Sequence, residues 1–204
     1  MPHAIKLSTP ATVPLMPEAL HFTESDDANR LLAANPLALL IGMMLDQQFP
    51  MERAFYGPYL LAERVGKDLD AAAIAAVDPD DLDSAFRGPP AVHRFPSSMA
   101  KRCRDLCAHL VEHHDGDAAR VWTDATDGAD LLHRVEALPG FGKAKARVFV
   151  GIIGKRLGGA PEGWEEKAAD WPSIADIESF DQIAALREHK RAAKRAAKES
   201  GAKR

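Results

Sequence analysis

The sequence predicts an all-α protein, and three features indicate it. Runs of β-branched residues with the two-residue alternation of strands are missing, while Ala, Leu, Arg and Glu dominate. Asn35-Pro36 is a helix start signal, because Asn caps free amides and Pro fits the first turn, where no N–H is needed. The segment that follows, residues 37–45, is apolar on every face, which predicts a buried central helix.

Further helices are expected along the first half of the chain, with Gly, Pro and Asp between them. Ser25 or Asp26 is positioned to cap a short helix that ends near Ala33. Pro50 starts a helix to about Val65, and Gly57-Pro58 is expected to disturb it. Two short helices are predicted over residues 69–77 and 79–86, before Gly88-Pro89-Pro90 breaks the chain.

The second half of the chain is also predicted to consist of helices joined by short breaks. Ser97 or Ser98 is expected to cap a longer helix that ends near His113, with one apolar stripe: Met99, Cys103, Leu106, Cys107 and Leu110. Helices are also predicted over residues 128–138 and 143–157, the latter ended by Gly158-Gly159. A last helix is expected to start near Ile177 and to continue into the C-terminal residues.

Composition excludes several classes of protein. No run of about 18 apolar residues is present, so no membrane span is expected, and no secretion signal is recognised. The two cysteines cannot build a disulfide framework, which favours a cytoplasmic location, and cannot supply the four thiolates of an iron–sulfur cluster.

The charge is distributed unevenly, which bears on the partner. The net charge is −4, but residues 187–204 hold eight Lys or Arg against two acidic residues. A basic tail on an acidic body is suited to loose contact with nucleic-acid phosphates. A solvated helix end that only aids solubility is an equally good explanation of the tail alone.

The motif that indicates a binding function is Leu138-Pro-Gly-Phe-Gly142, which lies between two predicted helices. Gly140 and Gly142 allow a sharp turn and close approach of another backbone, and Phe141 can plug the space between the helices. The second helix then offers its free N–H groups to a phosphate, with Lys143 and Lys145 beside it. An ordinary helix–turn–helix corner is the alternative.

The segment Leu138-Pro-Gly-Phe-Gly-Lys-Ala-Lys-Ala146 resembles the hairpin of the helix-hairpin-helix (HhH-GPD) base-excision DNA glycosylase superfamily, of the endonuclease III and MutY type. Met44-Leu-Asp-Gln-Gln48 and the helix start Pro96-Ser-Ser-Met-Ala-Lys-Arg-Cys103 are similar to two further segments of that superfamily, in the same order. Within it, the chain is most similar to a small group of uncharacterised bacterial proteins.

This resemblance implies a two-lobed helical fold with a reduced second lobe, which binds double-stranded DNA across its cleft. The core would span residues 35–158, the second lobe would combine residues 1–34 with 159–186, and residues 187–204 would form the basic tail. A damaged base would be turned out of the duplex into a pocket.

Roles for single residues follow from the same resemblance. Gln47 and Gln48 would fill the gap in the duplex or touch the estranged base, although helix capping is their alternative role. The backbone of Gly140 and Gly142 would hold phosphate, with a monovalent cation as a possible companion and no other cofactor.

Two departures from the superfamily pattern limit the expected chemistry. The lysine nucleophile of the bifunctional members would fall at Ala144, so no covalent lyase step is expected. The usual aspartate segment is missing. Asp170 and Asp46 are the candidates for a catalytic carboxylate, but a solvated surface acid and a helix-end residue are their alternative roles.

Two other constellations are open to more than one interpretation. Cys103, Cys107 and His114 share a helix face, but they lack a fourth zinc ligand, so buried core cysteines are expected and no metal site. His93-Arg94-Phe95 could touch a phosphate or a base, or could anchor a loop with Phe95 in the core and His93 as a cap.

Two functions are therefore expected, and a protein-interaction fold that kept the scaffold but lost DNA binding is a third option. The first is a monofunctional DNA glycosylase of base-excision repair, nucleoid-associated when bound to DNA, that hydrolyses the bond to a damaged or mismatched base without strand cleavage. The alternative is a non-catalytic DNA-binding or lesion-sensing module of the same fold.

Overall fold

The computed structural model describes residues 17–66 and 68–201, with side-chain environments up to residue 196. Every regular element in these residues is helical, so the predicted all-α class is confirmed. Residues 1–16 and 202–204, the ends of the predicted N-terminal segment and basic tail, lie outside the described residues. The α-helices are α1 (Asp26–Ala34), α2 (Pro36–Leu45), α3 (Met51–Val65), α4 (Ala71–Ala76), α5 (Pro79–Arg87), α6 (Pro96–His114), α7 (Arg120–Thr123), α8 (Gly128–Ala137), α9 (Lys143–Ile152) and α10 (Gln182–Gly201).

The central helix α2 is buried on all sides, as its sequence predicts. The Asn35 side chain accepts a hydrogen bond of 3.0 Å from the Ala38 amide, and Pro36 fills the first turn. All residues from Leu37 to Leu45 are buried. Gly42 lets α3 approach, because a Cβ there would lie 2.7 Å from the Phe55 ring. The helix therefore forms the centre of the hydrophobic core.

Helix α3 runs without a break through Gly57-Pro58, so the expected disturbance is wrong. Gly57 is packed so closely that a Cβ would lie 2.6 Å from Leu45 and 3.1 Å from Val92. Packing on both sides compensates for the backbone hydrogen bond that Pro58 cannot donate. The proline therefore sits inside a continuous helix.

Helix α6 begins at Pro96, and neither Ser97 nor Ser98 caps it. Pro96 already has the backbone angle of a first helical turn. The Ser97 hydroxyl instead accepts a hydrogen bond of 2.6 Å from Arg87. The predicted apolar stripe of α6 is buried throughout, from Met99 to Leu110, which confirms the interpretation of that face.

The C-terminal third packs on α9. This helix continues as a π-helical turn, Ile153–Leu157, and ends at Gly158, as predicted. Trp164 occupies the space beside Gly154, where a Cβ would lie 2.3 Å from its ring. Helix α10 begins at Gln182 rather than near Ile177, because a short 3₁₀ helix, Ile174–Asp176, and the turn after it come first.

The N-terminal and C-terminal segments meet on the same core. Phe22 packs edge-on against Phe55 at a centroid distance of 5.0 Å, and Glu52 of α3 pairs with Arg187 of α10. Within residues 17–66 and 68–201, no single helix has the length and apolar character of a membrane span. Only α1 and α2 together meet that criterion, across a bend of 114°.

Candidate nucleic-acid interface

The hairpin is a tight turn between α8 and α9. Gly140 has a φ of +90°, which favours glycine, and a Cβ there would lie 2.7 Å from Arg102 and 2.9 Å from Met44. The Phe141 side chain is buried and meets Phe149 edge-on at 5.7 Å. Its amide donates to the Leu138 carbonyl. Phe141 therefore holds the turn together from inside, with only 7% of the residue exposed.

The first turn of α9 is open. Its N-cap, Gly142, provides no side-chain cap, and the first backbone bond into the helix runs from the Ala146 amide to the Gly142 carbonyl. Within the described part of the chain, the amides of residues 143–145 have no acceptor. Gly142 and Lys143 are exposed, and no acidic residue occupies the first turn. These amides at the positive end of the helix dipole are arranged as an anion site needs.

Lys145 points away from this turn, toward the end of α2. Its Nζ donates a hydrogen bond of 2.8 Å to the Met44 carbonyl. Burial lowers the pKa of Lys145 to about 8, although the Asp46 carboxylate acts in the opposite direction. Burial also raises the pKa of Asp46, against the charges of Lys190 and Lys145. Lys145 thus supports the hairpin from below, and Lys143 is the lysine that faces outward.

The two glutamines have different environments. Gln47 accepts a hydrogen bond of 2.7 Å from Arg102 and donates one of 2.9 Å to the Met44 carbonyl, so its amide is held in place. Gln48 is exposed and has a φ of +51°, in the left-handed region. Arg102 also fills the space beside Gly140. Gln47 therefore joins the hairpin to α2, while Gln48 is the amide presented outward.

The segment His93-Arg94-Phe95 places a hydrophobic ring at this surface. His93 is buried and its Nδ1 accepts a hydrogen bond from the Phe95 amide, so its Nε2 donates to the Gln47 carbonyl at 3.2 Å. Phe95, expected in the core, is 44% exposed with Arg94 stacked over its ring at 4.6 Å. Arg94 also reaches the Gln48 carbonyl at 3.4 Å. Of the two rings in this segment, His93 anchors the loop in the core, whereas Phe95 lies outside the core, next to the start of α6 at Pro96.

These contacts join the motifs into one surface, which we call the hairpin face. Its members are exposed or half-buried, and they are three basic residues, one apolar ring, one amide and the two hairpin glycines: Arg94, Arg102, Lys143, Phe95, Gln48, Gly140 and Gly142. The sequence motifs identified the glutamines and the hairpin. Arg102 and the exposure of Phe95 were missed, since neither a lone arginine on a helix nor a loop phenylalanine carries a local signal.

The candidate carboxylates lie elsewhere. The Asp170 side chain is 79% exposed and pairs with Arg147, whose guanidinium also lies over the Trp171 ring. Its environment is that of a solvated surface acid, the alternative role of this residue. Asp46 is half-buried at the end of α2, where the charges of Lys190 and Lys145 act on it. Neither carboxylate lines the cavity described next.

A cavity of about 460 Å³ lies beside α3, between the N-terminal segment and α10. Its walls are polar on several sides: Thr23, Glu24, Ser25, Glu52, Arg53, Tyr56 and Arg187. Arg53 lines this cavity and its guanidinium lies 4.9 Å from the Phe49 ring, which meets the His93 ring at a centroid distance of 4.5 Å and an angle of 50°. One wall of the cavity therefore lies near the turn that carries Gln47 and Gln48.

The cysteines belong to the core. Cys103 and Cys107 are both buried, and the hydrogen bond that the Cys103 thiol makes to Cys107, together with burial, raises the pKa of Cys103 well above its ordinary value. The Cys103 thiol therefore stays protonated at neutral pH. Among the residues that the structure describes, no three His, Cys, Asp or Glu side chains group to hold a metal ion.

Comparison with protein-family models, with curated proteins and with solved structures finds no match to this chain. Function is therefore argued from the hairpin face, the cavity beside it and the motif resemblance.

Proposed function

We propose that this chain is a DNA-binding protein of the helix-hairpin-helix glycosylase superfamily, with the two-lobed fold and reduced second lobe of such enzymes. The observation that carries the proposal is the open first turn of α9, where unbonded amides and exposed Lys143 share one terminus and no acidic residue lies in that turn. A DNA phosphate would accept hydrogen bonds from these amides. Contact of this kind positions a duplex without reading its sequence.

The rest of the hairpin face supports a duplex as the ligand. Arg94, Arg102 and Lys143 supply positive charge along one connected surface. Phe95 is an exposed apolar ring beside the outward amide of Gln48, a pair suited to wedge between base steps and to fill the gap left by a displaced base. We therefore propose that these two side chains enter the duplex while the hairpin holds its backbone.

Binding is tested by measuring affinity for an undamaged duplex over a series of salt concentrations. Lys143→Gln should weaken binding and reduce the slope of log affinity against log salt by about 0.9, the value for one phosphate contact. Arg30→Gln is the matched control, because it also removes one exposed helical cation but lies on α1. Equal slopes in the two variants would refute the role of the hairpin.

The chemistry is tested separately. A monofunctional glycosylase should release a base, without strand cleavage, from at least one duplex in a panel that contains uracil, oxidised guanine, alkylated adenine and mismatches. Stoichiometric protein should be used, so that a single turnover is visible. The expected product is an abasic site on an intact strand.

A second candidate function is a non-catalytic DNA-binding or lesion-sensing module. The observation that favours it is the placement of the two candidate carboxylates, since Asp170 is a solvated ion-pair partner and Asp46 is half-buried at the end of α2, outside the cavity. Duplex binding with salt dependence but without base release from any member of the panel would establish this function over the first.

A further inference from the structure

The basic residues of α10 lie on one side of the helix. Arg187, Lys190, Arg191, Lys194 and Arg195 follow the spacing i, i+3, i+4, i+7 and i+8, which brings side chains to one helix face. The last four are exposed, and none of them forms an ion pair with an acidic side chain that the structure describes. We call these four residues the basic stripe.

The opposite side of this part of α10 carries small side chains. Ala192, Ala193 and Ala196 are exposed there, next to His189. Glu188 is the only acidic residue in the sequence between residues 187 and 196. Charges that only keep a helix soluble serve equally well on any exposed side. Their confinement to one side therefore favours a ligand with several negative charges along a line.

The basic stripe continues the side of α10 that packs against the core. Ile183 and Leu186 are buried, and Lys190 follows them at i+7 and i+4. Lys190 Nζ lies 3.8 Å from Met51 Sδ. Burial raises the pKa of Asp46, and the nearby charge of Lys190 opposes that effect. Because residues 46–50 form the turn between α2 and α3 that contributes to the hairpin face, the basic stripe begins beside that face.

A duplex fits this helix better than a membrane surface does. A helix that lies on a membrane needs bulky apolar residues opposite its cations, whereas alanine is the only apolar residue type between residues 187 and 196. Duplex DNA carries one negative charge per about 1.7 Å of its axis. Six helical residues, 190–195, rise over about 8 Å, so the stripe can face several phosphates at once.

We propose that the basic stripe is a second phosphate contact for the duplex that the hairpin face holds, so that one duplex lies against both. The inference rests on the proposed DNA-binding function and adds a further surface to it. The buried residues Ile183 and Leu186 and the ion pair of Arg187 with Glu52 hold the start of α10 on the core. The stripe is therefore presented at a defined position, and it adds affinity without reading sequence.

The test moves charge around the helix without changing its amount. In the relocated variant, Arg191→Ala is combined with Ala192→Arg, and Arg195→Ala with Ala196→Arg. Each guanidinium then shifts by one residue, which is about 100° around the helix. Composition, net charge and the i, i+4 spacing of the two arginines are unchanged. In the neutral variant, Arg191→Gln and Arg195→Gln remove both charges.

Affinity for an undamaged duplex is measured over a series of salt concentrations, and circular dichroism should show the same helix content for all variants. The neutral variant should reduce the slope of log affinity against log salt by about 1.8, the value for two phosphate contacts. The relocated variant should reduce it by about 1 or more. Adding Lys143→Gln to the neutral variant should bring the reduction to about 2.7, because hairpin and stripe hold the same duplex. A relocated variant with the wild-type slope overturns the inference, since net charge alone would then explain the effect of the tail.

The remaining outcomes separate the inference from the proposed function. If Lys143→Gln reduces the slope and the neutral variant does not, the hairpin binds DNA and only the inference is overturned. If the wild-type protein sediments with vesicles of phosphatidylcholine and phosphatidylserine, and the neutral variant does not while its slope on the duplex is unchanged, the stripe contacts a membrane and the inference is also overturned. Failure of the wild-type protein to bind any duplex at low salt overturns the proposed function, and the inference with it.

Discussion

Replacing Gly140 with alanine tests the hairpin at its most constrained point. The residue has a φ of +90°, which an L side chain rarely adopts. The added methyl group would lie 2.7 Å from Arg102 Cδ and 2.9 Å from Met44 Cγ. The arginine end is flexible and would move, and its hydrogen bond of 2.7 Å to Gln47 would be lost or lengthened. The variant is therefore expected to loosen the joint between the hairpin and α2.

The size of the effect follows from these two costs. A non-glycine residue in a positive-φ conformation costs about 1 to 3 kcal/mol. Loss of a half-buried hydrogen bond to a charged group adds roughly 1 kcal/mol, below its fully buried value because solvent reaches Arg102. Together they predict a free energy of unfolding lower by about 2 to 4 kcal/mol. For a chain of this length, that corresponds to a melting temperature lower by roughly 4 to 16 °C.

Gly142→Ala is the matched control on the same turn. Gly142 has an extended backbone with a φ of −99°, and an added Cβ would meet nothing within 4 Å. The free energy of unfolding of the Gly142→Ala variant should stay within about 0.5 kcal/mol of the wild-type value. Urea unfolding followed by circular dichroism measures both variants. If Gly140→Ala is no less stable than Gly142→Ala, then the turn is not constrained by Arg102 and Met44, and the account of the hairpin is wrong.

Three further predictions concern the groups beneath the hairpin face. The pKa of the Lys145 amine should be about 8 in NMR spectra of ¹³C-labelled lysine, and Asp46→Asn should lower that pKa, because it removes an attractive charge. An unchanged pKa would show that the Asp46 carboxylate does not act on Lys145. Burial lowers the pKa of His93 below its ordinary 6.5, so the folded state binds fewer protons than the unfolded state as the pH falls below 6.5. The free energy of unfolding should therefore decrease between pH 7.5 and 5.5, less steeply in His93→Gln, and equal slopes would contradict this. Borohydride should not trap a covalent complex with an abasic duplex, because Ala144 has no amine and the half-buried Lys145 Nζ is bonded to the Met44 carbonyl; a cross-link lost in Lys145→Met would overturn the absence of lyase chemistry.

Local sequence signals predicted helices well where one rule dominates. Asn35-Pro36 and the apolar run after it predicted α2 because capping and burial act within a few residues. The same local logic failed for α3, where Pro58 is accommodated by its neighbours, and for α6, where Pro96 begins the helix and Ser97 pairs with Arg87. Tertiary packing outweighs a single helix-breaking or capping residue in both cases.

The candidate site also contains features that local sequence signals predict and features that depend on tertiary contacts. The glycine turn could be predicted, because a short motif determines a bend and leaves the following amides free. The directions of the Lys143 and Lys145 side chains could not be predicted, since Lys145 donates a hydrogen bond to the Met44 carbonyl, about a hundred residues away in the chain. Glu52 was not a candidate, because only the meeting of α3 and α10 encloses it and pairs one of its oxygens with Arg187.

The sequence by itself determined the all-helical class, the buried α2 and the sharp turn before α9, because caps, periodicity and glycine conformations are local properties. Only the tertiary structure decided which side chains face outward at the hairpin and which carboxylates line the cavity. Those outcomes depend on burial and on partners that lie far apart in the chain, and the pKa of a carboxylate or an amine depends on the same surroundings.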